Sequence, residues 1–433
     1  MQNDLPGTTD DVAYDQSHIW HPFTPLSQDK PPVLLSSAEG VYLHTSEGKR
    51  IIDAVSSWWV NIHGHANKRI ADAIYSQATT LEHVIFAGFT HRPAIALTRN
   101  LLRILPKNQR RVFFSDNGST AVEVAVKMAM QYWHNQGISK KRIIAFEGAY
   151  HGDTFGSMSV GARGAFTRPF QDYLFNVDFI PVPTDENIDV VLRQFEDLLS
   201  NGEAGAFIFE PLVQGAAGMI MYKPEHLMKL LAIANSADVV TIADEVFTGF
   251  GRTGKLFASD HLDSAPDIIA LSKGITGGTL PLGATSCSSR IESAFKSSDV
   301  RKTFFHGHSY TANPIACAAA NASFAILMEE ECQRAIKRIS QQQAAFARRL
   351  EDHSKVRRSR SCGTILALET ETGSDTSYFN EIRKQIYPYF LDRGILLRSL
   401  GNVIYVLPPY VIRADELDYI HSQILGFLDQ LEY

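Results

Sequence analysis

Residues 239–245 read VVTIADE, and residues 266–274 read PDIIALSKG. Each stretch is a short apolar run, rich in branched side chains, that stops at polar residues. Runs of this length are too short for a typical helix and predict two buried parallel strands. Their carboxyl ends would present Asp244 and Lys273, and open α/β sheets bind ligands at that edge. The two stretches therefore predict a ligand site built around a carboxylate and a lysine.

An acid and a lysine on neighbouring strands suit pyridoxal phosphate chemistry. The lysine holds the cofactor aldehyde as a Schiff base, and the carboxylate keeps the pyridine nitrogen protonated. Most lysines after a strand are solvated, however, and most Asp-Glu pairs cap a turn. The glycines at 249, 251 and 254 also match a dinucleotide fingerprint, but residues 245–248 separate them from the strand and no helical period follows. Pyridoxal phosphate is the favoured cofactor, and a dinucleotide-dependent dehydrogenase is the weaker alternative.

Length and composition predict a large soluble protein. The chain has 433 residues, of which 45% are hydrophobic and 20% charged, so it can bury a large core and is too long for one compact domain. A formal net charge of −6 argues against nucleic acid or an anionic membrane as a partner. No apolar run reaches membrane-spanning length, and residues 1–15 carry four acids without lysine or arginine, unlike a targeting peptide. The four cysteines form no CxxC pair, so we expect a reduced, metal-free protein of the cytoplasm.

The order of predicted elements indicates an α/β fold with a large, mostly parallel sheet and a smaller α+β domain. Strands alternate with helices up to Lys273, which favours right-handed crossovers. A polar, poorly ordered tail is expected over residues 1–17, and a long helix over about 315–338. The predicted segments are 1–65 (N-terminal segment and part of the small domain), 66–310 (large cofactor-binding domain) and 311–433 (connecting helix and C-terminal small domain).

A turn at residues 116–120 predicts a phosphate seat. Thr120-x-x-Glu123 fits a capping box, which starts the following helix near residues 118–120. Backbone amides at such a helix N-terminus, together with the Ser119 and Thr120 hydroxyls, suit a phosphate. At the end of the next strand, Tyr150 or His151 can stack on a cofactor ring.

Three further features bear on substrate binding. Adjacent Trp58 and Trp59 point in different directions on any regular element, so we expect one of them to line a pocket. The stiff aromatic segment 18–25 either clamps onto the body of the fold or lies at the mouth of the active site. Arg398 is either a surface cation or a carboxylate receptor, since its planar fork suits a carboxylate.

The chain resembles the class III (ω-type) aminotransferases of the aspartate aminotransferase fold over nearly its whole length. Asp244 and Lys273 carry the class signature. Within the class, Trp58-Trp59 and the Trp20-His21-Pro22 segment are similar to the subfamily that aminates 8-amino-7-oxononanoate in biotin synthesis. The resemblance implies a type I pyridoxal phosphate fold and a homodimer with active sites at the subunit interface.

Roles follow from the resemblance position by position. It implies that Lys273 is the Schiff-base lysine, that Asp244 is the partner of the ring nitrogen and that Tyr150 stacks on the ring. It further implies a phosphate site at Gly118 and Ser119, completed by Ser309 for the other subunit. The substrate residues that it implies are Trp58, Trp59, Gly307, Arg398 and Tyr405.

The amino donor stays open at this point. The tyrosine that follows Trp-His-Pro in the family is Phe23 here, and residues 307–311 replace a Gly-Pro-Thr segment. Both departures lie where the donor binds, and relatives use either S-adenosylmethionine or lysine. Another ω-amino acid aminotransferase, of the ornithine or 4-aminobutyrate type, is the nearest enzymatic alternative, although Trp58-Trp59 argues against it. A non-catalytic structural dimer is disfavoured because both Asp244 and Lys273 are present.

Overall fold

The structure is a computed structural model that describes residues 8–27, 30–373 and 376–431. Its strands, in chain order, are β1 Leu35–Glu39, β2 Tyr42–Thr45, β3 Arg50–Asp53, β4 Gln109–Ser115, β5 Arg142–Phe146, β6 Asp178–Ile180, β7 Ala204–Phe209, β8 Val213–Gln214, β9 Ile220–Met221, β10 Val240–Asp244, β11 Ile268–Leu271, β12 Gly283–Ser288, β13 Val356–Cys362, β14 Ile365–Thr370, β15 Ile395–Leu396, β16 Ser399–Leu400 and β17 Val403–Val406. The right-handed α-helices are Thr8–His18, Lys68–Ala78, Arg92–Ile104, Gly118–Asn135, Phe155–Val160, Ile188–Leu199, Pro224–Ser236, Ser289–Phe295, Pro314–Leu327, Glu330–Arg349, Arg383–Asp392 and Ala414–Asp429.

The central sheet has the order β4-β12-β11-β10-β7-β5-β6. All of its strands run parallel except β12, which is antiparallel to both of its neighbours. The predicted α/β fold with a mostly parallel sheet is thus confirmed. The two strands predicted from residues 239–245 and 266–274 are β10 and β11, and they lie side by side.

Both faces of this sheet are covered, which explains why its strands read as continuous apolar runs. Along β5, Ile143 and Ala145 pack into one core cluster, whereas Ile144 and Phe146 pack into another. The helix Gly118–Asn135 fills the first cluster and is buried on nearly every side, as its composition predicts. The site at the carboxyl ends of the strands therefore rests on a rigid support.

Two smaller sheets join the ends of the chain. In the first, β1, β2 and β3 form an antiparallel meander, and β3 pairs in parallel with β15. In the second, the order is β13-β14-β17-β16. Strands β2 and β3 form a hairpin, and its partner strand β15 comes from about 340 residues further along the chain.

Two predictions of local structure were wrong. Residues 8–17, which were expected to belong to a poorly ordered tail, lie in the helix Thr8–His18, while residues 1–7 lie outside the described residues. The expected helix over 315–338 is two helices, Pro314–Leu327 and Glu330–Arg349. The second begins at the acidic residues Glu330 and Glu331, which the positive end of a helix dipole favours.

The four cysteines are all free thiols, and none is exposed. Burial raises the pKa of Cys287 to about 11 and that of Cys317 to about 12. No helix within residues 8–27, 30–373 and 376–431 is both long and apolar enough to cross a bilayer.

Candidate active site

Lys273 lies just beyond the end of β11, in a small aromatic enclosure. Its Nζ is 4.6 Å from the centre of the Trp59 ring and 5.5 Å from that of Phe247. Burial lowers the pKa of Lys273 to about 8, an effect that the neighbouring Asp244 opposes. Within the described part of the chain, no hydrogen bond or ion pair holds this amine. Lys273 therefore presents an amine with a substantial neutral fraction near physiological pH, as a nucleophile or proton carrier requires.

Asp244 ends β10 and is almost fully buried, at 4% exposure. Its Oδ1 accepts a hydrogen bond from the Val246 amide at 3.0 Å, and its Oδ2 accepts one from His151 Nδ1 at 2.7 Å. The other ring nitrogen of His151 is buried without a partner in the described residues. The two donors fix the orientation of the carboxylate, which is what an anion facing a cationic ring nitrogen needs.

The predicted phosphate seat is formed by the start of the helix Gly118–Asn135. The amides of Gly118 and Ser119 make no hydrogen bond to other described residues, so two donors are left at a helix N-terminus. A Cβ on Gly118 would come within 2.6 Å of Val246 Cγ1, so this close approach requires glycine. Ser119 Oγ bonds Thr154 Oγ1 at 2.8 Å. These free amides fit the phosphate of a pyridoxal cofactor.

The predicted capping box at this helix was wrong in its members. Asn117 caps the helix, since its side chain accepts from the Thr120 amide at 2.9 Å and its own amide donates to Thr120 Oγ1 at 3.1 Å. Glu123 instead accepts from Thr154 Oγ1 at 2.6 Å and from the Gly156 amide at 2.7 Å. Glu123 therefore links the helix Gly118–Asn135 to the segment that follows Tyr150.

Tyr150 lies where the sequence places it, after β5. Its amide donates to Glu210 Oε1 at 3.1 Å, and its hydroxyl donates to Asp153 Oδ2 at 3.0 Å. Tyr150 stays 38% exposed, so part of its side-chain surface is open to a ligand. Burial raises the pKa of Glu210 to about 7. Of the two stacking candidates, His151 is engaged with Asp244, which leaves Tyr150.

Trp58 and Trp59 lie on a single helical turn of left-handed sense. Residues 56–59 have φ values of 51°, 45°, 74° and 74°, and the Trp59 amide donates to the Val55 carbonyl at 2.9 Å. Left-handed helical conformation costs about 1–2 kcal/mol per residue, or about 4–8 kcal/mol for this turn. The buried Arg252 helps to hold it by donating to the Trp59 carbonyl at 3.2 Å.

The indole rings of Trp58 and Trp59 lie in different environments, as expected. Trp59 is buried beside Lys273, and its ring centre lies 6.1 Å from that of Tyr405. Trp58 is 43% exposed, and the Arg398 guanidinium carbon lies 5.4 Å from its ring centre. Phe23 packs edge-on against Trp58 at 5.6 Å, so segment 18–25 reaches the pocket mouth.

Gly307 and Ser309 are not brought to this site within one chain. Both are exposed on a loop whose Phe305 and Tyr310 are also 68% and 65% exposed. The residues that sequence reasoning missed are His151 as the partner of Asp244, Phe247 beside the lysine, and Arg252 behind Trp59. Of these three residues, only Arg252 had a usable sequence signal, because it lies within a glycine-rich stretch.

The glycines at 249, 251 and 254 do not form a dinucleotide site. Gly251 and Gly254 have φ values of 101° and 86°, and they shape a loop in which the Gly254 amide donates to the Gly251 carbonyl at 3.1 Å. No α-helix directly follows them in this fully described part of the chain; the next element is the short 3₁₀ turn Ala258–His261. The dehydrogenase alternative therefore has no support in the fold.

Comparison with known proteins agrees with this geometry. The aminotransferase class-III family profile matches residues 24–428. The adenosylmethionine-8-amino-7-oxononanoate aminotransferase of Synechococcus elongatus is 47% identical, over 96% of this chain and 99% of the relative. The enzyme of the same name from Geobacter sulfurreducens is 38% identical, over 94% of both chains.

Solved structures give the same result. A crystal structure of adenosylmethionine-8-amino-7-oxononanoate aminotransferase from Methanocaldococcus jannaschii superposes with a TM-score of 0.93, at 33% identity and over 99% of this chain and 100% of that one. An omega transaminase from Pseudomonas jessenii in complex with PMP superposes with a TM-score of 0.91, at 27% identity over 96% and 97% of the two chains. The chain therefore belongs to the class III aminotransferases, which are pyridoxal phosphate-dependent enzymes.

Proposed function

We propose that this enzyme transfers an amino group from S-adenosylmethionine to the ketone of 8-amino-7-oxononanoate in biotin synthesis. The relatives at 47% and 38% identity carry these two compounds in their names. The observation that carries the proposal is the Trp58-Trp59 turn, since Trp59 contacts the amine of Lys273 and Trp58 contacts Arg398. This arrangement suits a substrate with a reacting ketone, an apolar chain and a distant carboxylate.

The residues have distinct tasks in this proposal. Bound pyridoxal phosphate supplies an electron-withdrawing ring that accepts the electrons of the broken C–H bond. The amides of Gly118 and Ser119 would hold the phosphate, and the Asp244 carboxylate would face the ring nitrogen. Lys273 Nζ would bind the cofactor aldehyde and, once released, would carry the proton between the substrate Cα and the C4′ carbon of the cofactor. Tyr150 would cover one face of the ring and exclude water.

We further propose that the enzyme is a cytoplasmic homodimer whose sites are completed across the subunit interface. The loop that carries Gly307 and Ser309 is exposed in the single chain, together with Phe305 and Tyr310. The Tyr310 ring lies 5.3 Å from that of His83, in a segment that exposes Ile85 and Phe89 at 61% and 62%. Large exposed apolar side chains on neighbouring segments are typical of a subunit interface. Ser309 would then reach the phosphate of the partner.

The amino donor is tested by separate half-reactions. We expect S-adenosylmethionine to bleach the visible absorption of the bound cofactor, and added 8-amino-7-oxononanoate to restore it. Lysine alone should leave the band unchanged. Bleaching by lysine and not by S-adenosylmethionine would overturn the proposed donor. Recovery of the band with the oxo-acids of ornithine or 4-aminobutyrate, and not with 8-amino-7-oxononanoate, would overturn the acceptor.

Arg398 is expected to receive the carboxylate of the acceptor. Its guanidinium makes no hydrogen bond or ion pair with other described residues, so it is available for a ligand. Arg398→Ala should weaken 8-amino-7-oxononanoate by about 2 kcal/mol, the low end for truncating one member of a charge pair, because the side chain is exposed in one chain. Arg398→Lys should restore only part, since an ammonium cannot form two parallel hydrogen bonds.

Titration of each half-reaction measures this effect. The donor half-reaction should lose much less than the acceptor half-reaction. Arg393→Ala is a matched control, because this nearby arginine lies over Tyr389 at 3.6 Å instead of over Trp58. Equal losses in both half-reactions would indicate a carboxylate site shared by donor and acceptor. No loss in either would make Arg398 a surface cation.

A further inference from the structure

The buried carboxylate of Asp53 gathers the hydrogen bonds that start the left-handed turn. Asp53 ends β3 and has no exposed surface. Its Oδ1 accepts from the amides of Val55 at 3.2 Å and Ser57 at 3.0 Å. Its Oδ2 accepts from Ser57 Oγ at 2.7 Å and from His65 Nε2 at 2.9 Å. Four donors converge on one side chain, and two of them come from Ser57, inside the turn.

The same turn is tied to the strands that carry the other substrate residues. The Ala54 amide donates to the Leu396 carbonyl at 3.1 Å, two residues before Arg398. Ser56 Oγ donates to the Leu407 carbonyl at 2.8 Å, two residues after Tyr405. The turn therefore has fixed neighbours on both sides, and its own conformation decides where the indoles lie relative to them.

None of the residues in the turn favours a left-handed conformation. The sequence from 56 to 59 is Ser-Ser-Trp-Trp, without glycine or asparagine. Strained conformations of this kind persist only where the surroundings over-determine them, and they concentrate at functional sites. Among the described residues, Asp53 makes two side-chain hydrogen bonds to residues 56–59, whereas Arg252 makes one.

We propose that Asp53 is a positioning residue: it holds the left-handed turn that places Trp59 against Lys273 and Trp58 beside Arg398, and thereby sets the binding of the acceptor. Asp53 has no contact with the reacting groups and acts through Ser57 and the two indoles. The inference rests on the proposed function for the identity of the acceptor. The conformational part does not depend on that identity.

The first test separates acceptor binding from chemistry. Asp53→Ala should raise the KM for 8-amino-7-oxononanoate by roughly 10- to 100-fold, the effect of misplacing a positioning group by about 1 Å. Asp53→Asn keeps one oxygen for the Val55 and Ser57 amides and loses the acceptor for Ser57 Oγ and His65. It should therefore raise KM by only about three- to tenfold.

Asp267→Ala is the matched control. Asp267 is also a buried aspartate with several donors, including the Thr241 amide at 3.1 Å and Arg290 at 2.8 Å, but it lies at the start of β11, away from Lys273. We expect this variant to lose stability and to keep the acceptor KM within about twofold of wild type. Equal increases in KM for the Asp53 and Asp267 variants would reduce Asp53 to a stability role and overturn the proposal.

The second test is conformational rescue. Glycine adopts positive φ without strain, so Asp53→Ala combined with Ser57→Gly should recover a large part of the lost acceptor affinity. A residue that acts only through general stability, or through direct chemistry, would not be rescued in this way. No recovery in the double variant, with both proteins folded by far-ultraviolet circular dichroism, would overturn the proposal.

The third readout uses the cofactor-free protein and no substrate. Trp58 and Trp59 are two of the four tryptophans, so the near-ultraviolet circular dichroism should change in Asp53→Ala and return in the double variant. An unchanged spectrum in Asp53→Ala would refute the positioning role. The wild-type enzyme could fail to use 8-amino-7-oxononanoate while the spectrum changes in Asp53→Ala and returns in the double variant. That result would overturn the proposed acceptor and still support the conformational role of Asp53.

Discussion

Replacement of Lys273 by alanine is expected to lower transamination by at least about 10⁴-fold, because covalent binding and proton transfer are lost together. The fold should survive. Lys273 Nζ makes no hydrogen bond or ion pair with the described residues, so its removal leaves no buried partner unsatisfied. Its backbone φ of 44° is no harder for alanine than for lysine. The variant can still bind the cofactor through the phosphate seat.

Two measurements check this prediction. Steady-state turnover should fall as stated, and the visible absorption band that disappears on borohydride treatment in wild type should be missing from the variant. Lys255→Ala is the control, because Lys255 is an exposed lysine that donates to the Asp260 carbonyl at 2.8 Å. Turnover of Lys273→Ala within about tenfold of wild type would remove Lys273 from the mechanism.

Asp244→Asn is expected to slow the donor half-reaction by about 10²- to 10³-fold, as for loss of one preorganised electrostatic group. Asparagine keeps the shape and removes the charge that holds the ring nitrogen protonated, an interaction of roughly a few kcal/mol in a shielded site. His151 should increase this loss of rate. Its Nδ1 donates to the Asp244 carboxylate at 2.7 Å, and in the asparagine variant it would compete for the single amide oxygen.

Single-turnover absorbance with the donor amine measures this rate. Asp267→Asn, which alters a buried aspartate at the opposite end of β11, should leave it nearly unchanged. If Asp244→Asn deprotonated the donor at the wild-type rate, another residue would have to be the partner of the ring nitrogen.

The sequence was most informative where local pattern and burial agree. Strands β10 and β11 follow from two short branched runs, and their parallel pairing brings Asp244 and Lys273 to one edge of the sheet. The helix Gly118–Asn135 was predicted for the same reason, although Asn117 and not Thr120 supplies the cap. In each of these cases a short segment carries the information by itself.

The sequence was least informative where distant contacts override local preference. The His151–Asp244 bond joins side chains 93 residues apart, and no local period indicates it. The left-handed turn contradicts the propensities of Ser and Trp and is held by Asp53 and Arg252. The break near residue 328 is different, because Glu330 and Glu331 are a local signal for the start of a second helix that the prediction of one long helix overlooked.

The pairing of β3 with β15 has a consequence for synthesis of the chain. Ile52 faces Ile395 in this pair, so the first small sheet lacks a strand until nearly all of the protein has left the ribosome. Contacts of such long sequence separation form slowly. Until they form, an unpaired strand edge is prone to associate with other chains. The edge of β3, with Ile51 and Ile52, is therefore an apolar segment that stays open to association in the nascent chain until β15 has been made.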